Sequence, residues 1–193
     1  MRDAVAEVEQ RTSAEIVVAL RRTSGHYGQA DLTAGGLAAL AALCVFLYYP
    51  EPFDFTFLPL EILAVSALTA VACAHLPPLR RLLTSRRVRD ENVHDAARAF
   101  FVDRGVTRKA TRTGVLIYLS ALEHRVEVVT DIGVDEEALG PRWKASLAVL
   151  STALAEGSLE RFLDALRGLG PILAEKLPHH SGDTNDLPDE VAP

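Results

Sequence analysis

Two stretches of this chain leave little choice about their surroundings. Residues 32–49, LTAGGLAALAALCVFLYY, carry no charge, and residues 58–76, LPLEILAVSALTAVACAHL, carry only Glu61 and a possible charge on His75. Each is close to the ~20 residues that a helix needs to cross a bilayer core. A helix that is apolar on all sides must be buried, in lipid or in a protein core, and a chain of 193 residues seldom needs two of the second kind. Both runs lie too far from Met1 for a cleaved leader. The expectation is a two-helix transmembrane hairpin over residues 32–76.

Charge gives this hairpin a direction. The connection PEPFDFTF, residues 50–57, holds Glu51 and Asp54 and no basic residue. Arg21 and Arg22 precede the first run, and Arg80, Arg81, Arg86, Arg87 and Arg89 follow the second. Basic flanks mark the cytoplasmic side. Both termini and the rest of the chain are thus expected inside, with a short acidic loop outside. Tyr48, Tyr49, Phe53, Phe55 and Phe57 then fall at the outer interface, where aromatic rings are favoured. Glu61 falls near the same headgroups, and reads either as an intramembrane site or, the plainer choice, as a carboxylate close enough to the surface to stay wet. Cys44 and Cys73 lie within the runs, without CxxC or Cys–His metal spacing, and read as reduced packing residues. A net charge of −6 gives no reason to expect nucleic acid as a partner; the arginines answer to topology and to anionic lipid.

The remaining pieces read as one α/β domain cut in two. Residues 2–12 place Ala4, Val5 and Val8 on one helix face, and AEIVVAL, residues 14–20, is a β-branched run with the profile of a strand. After the hairpin, Val93, Ala96, Ala97, Phe100 and Phe101 recur at helical spacing up to Gly105. GVLIYLSA (114–121) reads as a buried strand, LEHR as a turn, and VEVVTD (126–131) as the return strand. Pro141 is placed to start a helix with Trp143, Leu147, Leu150 and Leu154 on one stripe; Gly157 closes it and Ser158 caps the next. A lone strand at 14–20 cannot satisfy its own edges, so it must pair with the later two. Two spans are an even number, which returns the chain to the same side. The expected architecture is a small mixed β-sheet of about three to four strands flanked by helices, formed by residues 1–31 and 85–177 and interrupted by the hairpin. The first two strands are joined by a crossover and so should be parallel, with the third antiparallel. Residues 178–193, polar and Pro-bearing, read as a mobile tail.

The stretch RTGVLIYLSALEHRVEVVTDIGV, residues 112–134, together with AEIVV upstream, resembles the TPM domain, a small α/β module. The matching pieces are Glu15 to Leu20, Gly114 to Leu119, Glu123 to Arg125 and Asp131 to Gly133, and their order and spacing carry the likeness over most of the part outside the hairpin. GDTNDLPDEV near the C-terminus is similar to the end of membrane-hairpin members. The resemblance implies divalent-cation binding and, in a thylakoid member, a proposed acid phosphatase activity. It also implies accessory roles beside membrane complexes, including photosystem repair and a receptor channel. In the commoner family layout a signal peptide exports the domain; here the arginines hold it inside.

Phosphatase machinery is not apparent in the residues themselves. No Cys-x5-Arg and no DxDxT-like aspartyl nucleophile occurs, and His26, His94 and His124 are scattered while His179 and His180 are adjacent in the tail. The acidic residues have more to offer. Parallel first and second strands and an antiparallel third bring Glu15, Arg112, Thr113 and Asp131 to one end of the sheet, with Asp135 and Glu136 just beyond. Oxygen ligands of this kind suit Ca2+ or Mg2+, so Glu15, Asp131 and Asp135 are the candidate metal residues. A plainer reading has Asp131 paired with Arg112, or capping the turn that Gly133 makes. At the other end, Arg21 to Gly25 could bind an anion or serve only as a linker. Three functions follow. One is a non-catalytic module of a membrane complex, with the bilayer and another membrane protein as partners. The second is a metal-dependent phosphatase of the TPM type, and the third a sensor of the lipid surface.

Overall fold

The computed structural model describes residues 1–49, 56–108 and 111–179. It divides into two compact units: Met1–Ser24 with the chain from Asp90 onward, and Gly25–Arg89. The first boundary lies a few residues before the expected 31, and the second falls inside a helix rather than ahead of it.

The first unit is a three-stranded sheet between helices. Helix α1 (Arg2–Glu9) leads into β1 (Glu15–Arg21). Beyond the inserted unit, α5 (Arg86–Asp103) is followed by a 3-10 turn at Val106–Arg108, β2 (Gly114–Ser120) and β3 (Arg125–Thr130), then α6 (Glu136–Ala155), α7 (Leu159–Arg167) and α8 (Leu169–Ala174). The strand order is β1-β2-β3. Strand β1 runs parallel to β2 in a register that sets Glu15 beside Gly114 and Arg21 beside Ser120, and β3 runs antiparallel to β2 from Val115–Thr130 to Ser120–Arg125. Every residue of β2 is buried, which is why its sequence is a continuous apolar run without alternation: it is the central strand, covered on both faces. Strand β3 is an edge and is only partly buried.

Alternation along the strands divides the core in two. Ile16, Val18, Val115, Ile117 and Leu119 face Val5, Val8, Trp143, Leu150, Phe162, Leu166 and Leu173, from α1 and α6 to α8. Ala19, Leu116 and Tyr118 face Val93, Ala97, Phe100 and Phe101 of α5 and Val106 of the 3-10 turn. Phe100 meets Tyr118 edge-on with ring centroids 5.9 Å apart. The guanidinium carbons of Arg21 and Arg104 each lie 5.4 Å from the centre of the Phe100 ring, within range of a cation–π attraction.

Helix ends follow local chemistry. Asp135 caps α6, its side chain accepting from the amides of Glu137 and Ala138. One turn later Gly140 takes φ 71°, and the helix restarts at Pro141. Proline thus opens the long part of this helix as expected, and the capped turn ahead of it is an addition. Ser158 caps α7. Residue 178, expected to open the tail, is held in place: Pro178 forms an antiparallel bridge with Thr12, and next to it the Leu177 carbonyl accepts from the Ser13 amide at 3.0 Å and the Thr12 hydroxyl at 2.6 Å. The rest of the expected tail, 180–193, lies outside the described residues.

The second unit holds α2 (Gly28–Tyr48), α3 (Leu58–His75) and the short α4 (Pro77–Leu83). Both α2 and α3 are long and apolar enough to cross a membrane. Their mutual packing reverses that of a water-soluble pair. The buried positions are small: Ala30, Ala34 and Gly35 on α2, and Cys73 on α3. A Cβ on Gly35 would come within 2.7 Å of the Ser66 carbonyl oxygen, so glycine allows the backbones to approach; on Gly36, next along, it would meet nothing within 4 Å. The large apolar side chains point away, with Leu32 74% and Leu68 70% exposed. Small residues inside and leucines outside is how helices pack when the solvent is lipid. Cys44 and Cys73 are both free thiols. Of the expected aromatic belt, Tyr48, Tyr49 and Phe57 are exposed; Phe53 and Phe55, with the acidic Glu51 and Asp54, lie outside the described residues.

Candidate functional site

The end of the sheet where β1 and β2 begin and β3 finishes is built around one ion pair. Arg112, just ahead of β2, takes φ 57°, a left-handed conformation that costs a non-glycine residue about 1–2 kcal/mol. Three contacts hold it there. Its carbonyl accepts from the Gly133 amide at 2.8 Å. Its Nη1 donates to the Thr107 carbonyl at 3.0 Å. Its Nη2 lies 3.1 Å from Asp131 Oδ1, with the arginine side chain 43% exposed and the aspartate side chain 2%. Gly133 is required by the close approach, since a Cβ there would stand 2.5 Å from the Arg112 carbonyl oxygen. Asp131 anchors its own backbone to Gly114, its amide donating to that carbonyl at 2.9 Å, and its Oδ1 accepts from the Ile132 amide at 2.8 Å. Its Oδ2 is buried and makes no hydrogen bond among the described residues. A buried carboxylate oxygen left in this state carries a desolvation cost of about 1–3 kcal/mol or more, and the neighbouring guanidinium offsets part of it.

The three candidate metal residues are placed differently from one another. Glu15 and Asp131 are both buried and both lie in the row through Gly114, on the face that carries Ala19, Leu116 and Tyr118. Two strand spacings set their Cα atoms about 10 Å apart. Val106 covers the glycine between them: a Cβ on Gly114 would be 2.7 Å from both Val106 Cγ1 and the Val106 carbonyl oxygen. Asp135 is occupied as the cap of α6, with hydrogen bonds of 3.0 and 3.1 Å. Glu136 turns back to the Thr130 hydroxyl, which donates to it at 2.7 Å. Thr113 donates to the Ser13 carbonyl at 2.9 Å, tying β1 to β2. Among the described residues, no group of three or more His, Cys, Asp or Glu side chains is arranged to hold a metal ion. The sheet end therefore gathers the expected residues, and it joins Asp131 to Arg112 rather than joining the three carboxylates to each other.

At the opposite end, where Arg21 to Gly25 were expected as an anion site or a linker, lies a second polar cluster whose other members, Ser120 and Glu123, sequence reading missed. Residues 21–24 are fastened to the β2–β3 turn. The amides of Ala121 and Leu122 donate to the carbonyls of Arg21 and Arg22, each at 2.9 Å. The Ser24 amide donates to Glu123 Oε1 at 2.9 Å, and Ser24 Oγ lies 2.6 Å from Ser120 Oγ and 3.3 Å from the Tyr118 hydroxyl. Ser120 Oγ donates in turn to Glu123 Oε2. Ser120 and Glu123 are buried. The network locks the point where the chain leaves the sheet for the inserted helices. A signal was present: Ser120 and Glu123 lie only three residues apart, at the two sides of the short turn between the strands. His124, in that turn, takes φ 53°. His94 Nδ1 pairs with Glu127 at 2.8 Å on the surface.

No protein-family model matches this chain, and no curated protein does. Among solved structures, the NMR structure of the BA42 protein from the psychrophilic bacterium Bizionia argentinensis is similar. The likeness covers 99% of this chain and 88% of that one, with a TM-score of 0.56 and 17% sequence identity. It is a likeness of fold.

Proposed function

We propose that this chain is a membrane-anchored TPM-like domain that acts without catalysis, as an accessory or maintenance factor for a membrane complex. The observation that carries this reading is the outward display of large apolar side chains on α2 and α3 around an interior of small residues. Water would penalise that surface and lipid accepts it. The basic flanks support a topology with both termini and the sheet-bearing unit in the cytoplasm, at the inner membrane of a bacterium. The sheet end supports a structural role, because Arg112, Gly133 and Asp135 are engaged in holding the backbone. Purification of the tagged full-length chain from its native membranes in mild detergent should yield a second membrane protein in constant ratio. A chain that always migrates alone would remove this reading.

A second reading, a divalent-metal-dependent phosphatase, is favoured by one observation: the buried Oδ2 of Asp131 without a hydrogen bond among the described residues. Hard cations such as Ca2+ or Mg2+ seek oxygens of this kind. Under the accessory reading, the purified chain given Mg2+, Mn2+ or Ca2+ hydrolyses an aryl phosphate no faster than buffer does. Metal-stimulated hydrolysis that disappears in Asp131→Ala would transfer the function to this second reading.

A further inference from the structure

The sheet has two edges, and they are built differently. Strand β3 is guarded by charge: His94 of α5 pairs with Glu127 at 2.8 Å, and Arg125 with Asp90 at 2.8 Å. Charged side chains on an edge strand discourage other chains from pairing with it. Strand β1, EIVVALR, has an unbroken apolar run from Ile16 to Leu20, with neither lysine nor proline, and among the described residues no strand lies beyond it. Its backbone groups can be assigned in turn. The Glu15 amide donates to the Thr113 carbonyl and the Arg21 carbonyl accepts from the Ala121 amide, so both bond toward β2. Alternation along the ladder then turns the amides and carbonyls of Ile16, Val18 and Leu20 outward. At the start of this edge the Ile16 amide is taken, since it donates to Glu9 Oε1 at 2.9 Å. At its far end the Arg22 carbonyl turns back to accept from the Leu122 amide at 2.9 Å. Between these two, the outward amides and carbonyls of Val18 and Leu20 make no hydrogen bond among the described residues. The Leu20 side chain also stands in the open, at 41% exposure.

These groups complement a second copy of themselves. Two β1 strands set antiparallel about a two-fold axis at Ala19 place Val18 of each copy opposite Leu20 of the other, in the hydrogen-bonded position. Each amide then meets a carbonyl. The groups already engaged, at Ile16 and Arg22, fall opposite one another, so no existing bond is displaced. A slip of two residues in either direction sets one of them against Val18 or Leu20 instead. The side chains fit the same register. Ala19 is the smallest residue of the strand and lies on the axis, where the two chains come closest. Leu20 comes beside Val18 of the other copy. Arg21 lies diagonal to Glu15 of the other copy, a pairing of opposite charge within reach of a long side chain. We propose that β1 is a homodimer interface, through which two copies of this chain join their three-stranded sheets into one continuous sheet. The proposal does not rest on the accessory reading, because the edge pairs with a second copy whether or not another membrane protein is bound.

The test uses the full chain in mild detergent, at a large excess of micelles over protein. Light scattering should give a protein mass of two chains at high concentration, falling toward one on dilution. Leu20→Lys puts a charge in the middle of the pairing. It should weaken self-association by on the order of tenfold and leave the circular dichroism spectrum unchanged. In a Cys44→Ala, Cys73→Ala background, Ala19→Cys should form a disulfide between copies on mild oxidation. The Cα atoms across the axis stand about 4.5 Å apart, within the span of a disulfide. Val17→Cys, on the same face but offset from the axis, should not. A single chain at every concentration overturns the proposal. So does a dimer that Leu20→Lys leaves intact, or one that cross-links as well through Val17→Cys as through Ala19→Cys, since the copies then meet elsewhere. Ala19→Cys linking to a different protein overturns it too, and gives this edge to that protein. Should Ala19→Cys fail to fold, the masses of the unaltered chain and of Leu20→Lys decide alone.

Discussion

Residues 90–179 produced without residues 1–24 are expected not to fold, whereas 1–24 joined to 90–179 by a Gly/Ser linker should give a water-soluble body with a single cooperative unfolding transition. Deletion removes α1 and β1, and with them the buried side chains of Val5, Val8, Ile16 and Val18. At about 1.5–3 kcal/mol for each fully buried side chain, the loss approaches the whole stability of an ordinary domain, about 5–15 kcal/mol. It also strips hydrogen bonds from one side of β2 along seven residues, Gly114 to Ser120, and a two-stranded remnant is marginal in water. Circular dichroism and thermal unfolding of the two proteins decide the matter. A fragment 90–179 that melts at the temperature of the linked protein would show that β1 is dispensable. The pairing has a topological consequence: if α2 and α3 cross a bilayer, residues 15–21 and 114–120 must lie on one side of it.

Much of this fold was legible because its constraints are local or obligatory. The seven buried residues of β2 announce a central strand, and a solitary apolar run at 14–20 had to find a partner somewhere. Parallel pairing then followed from the crossover, and the antiparallel return of β3 from the short turn. Helix α4 was not legible. Its seven residues, Pro77–Leu83, open with two prolines and contain two arginines, so they read as the flank of a span; proline in a first turn is equally a way to begin a helix. The turn ahead of Pro141 escaped for a related reason, since Gly140 next to proline looks like a stop, and it takes a capping Asp135 to continue backwards.

The site was legible in composition and not in connection. Register alone brings Glu15, Arg112, Thr113 and Asp131 to one end of the sheet, and the pairing of Asp131 with Arg112 was one of three outcomes open there, beside metal binding and a cap on the turn at Gly133. What no periodicity reveals is that a 3-10 turn at Val106–Arg108 lays Val106 on Gly114, between two carboxylates. The cluster at the far end depends on Ser24 meeting Ser120 and Glu123 across 96 and 99 residues. Between those positions the chain passes through α2, α3 and α4 of the inserted unit and then α5. Contacts of that range come from the completed sheet, and only a reader who had already paired β1 with β2 could look for them.

Trp143 offers a sharp test of how the helical layer over the sheet is held. The residue is fully buried, at 0% exposure, in the core shared by α1, α6, α7, α8 and one sheet face. Its indole Nε1 has no hydrogen-bond partner among the described residues. Two opposing terms therefore attach to one side chain. Its volume stabilises the core, and truncation to alanine should cost about 3–5 kcal/mol through lost burial and the cavity left behind. Its N–H, buried without an acceptor, costs about 1–3 kcal/mol. Phenylalanine keeps most of the volume and deletes the polar group, so Trp143→Phe should differ from the parent by less than about 1.5 kcal/mol. Urea unfolding of the linked 1–24/90–179 protein measures both, with the slope of the transition unchanged. Should Trp143→Phe prove as damaging as Trp143→Ala, the indole N–H must be bonded to something that stabilises it. The layer of α6 would then depend on a polar anchor rather than on apolar packing, and the cost of any change along its inward stripe would have to be recalculated from that bond.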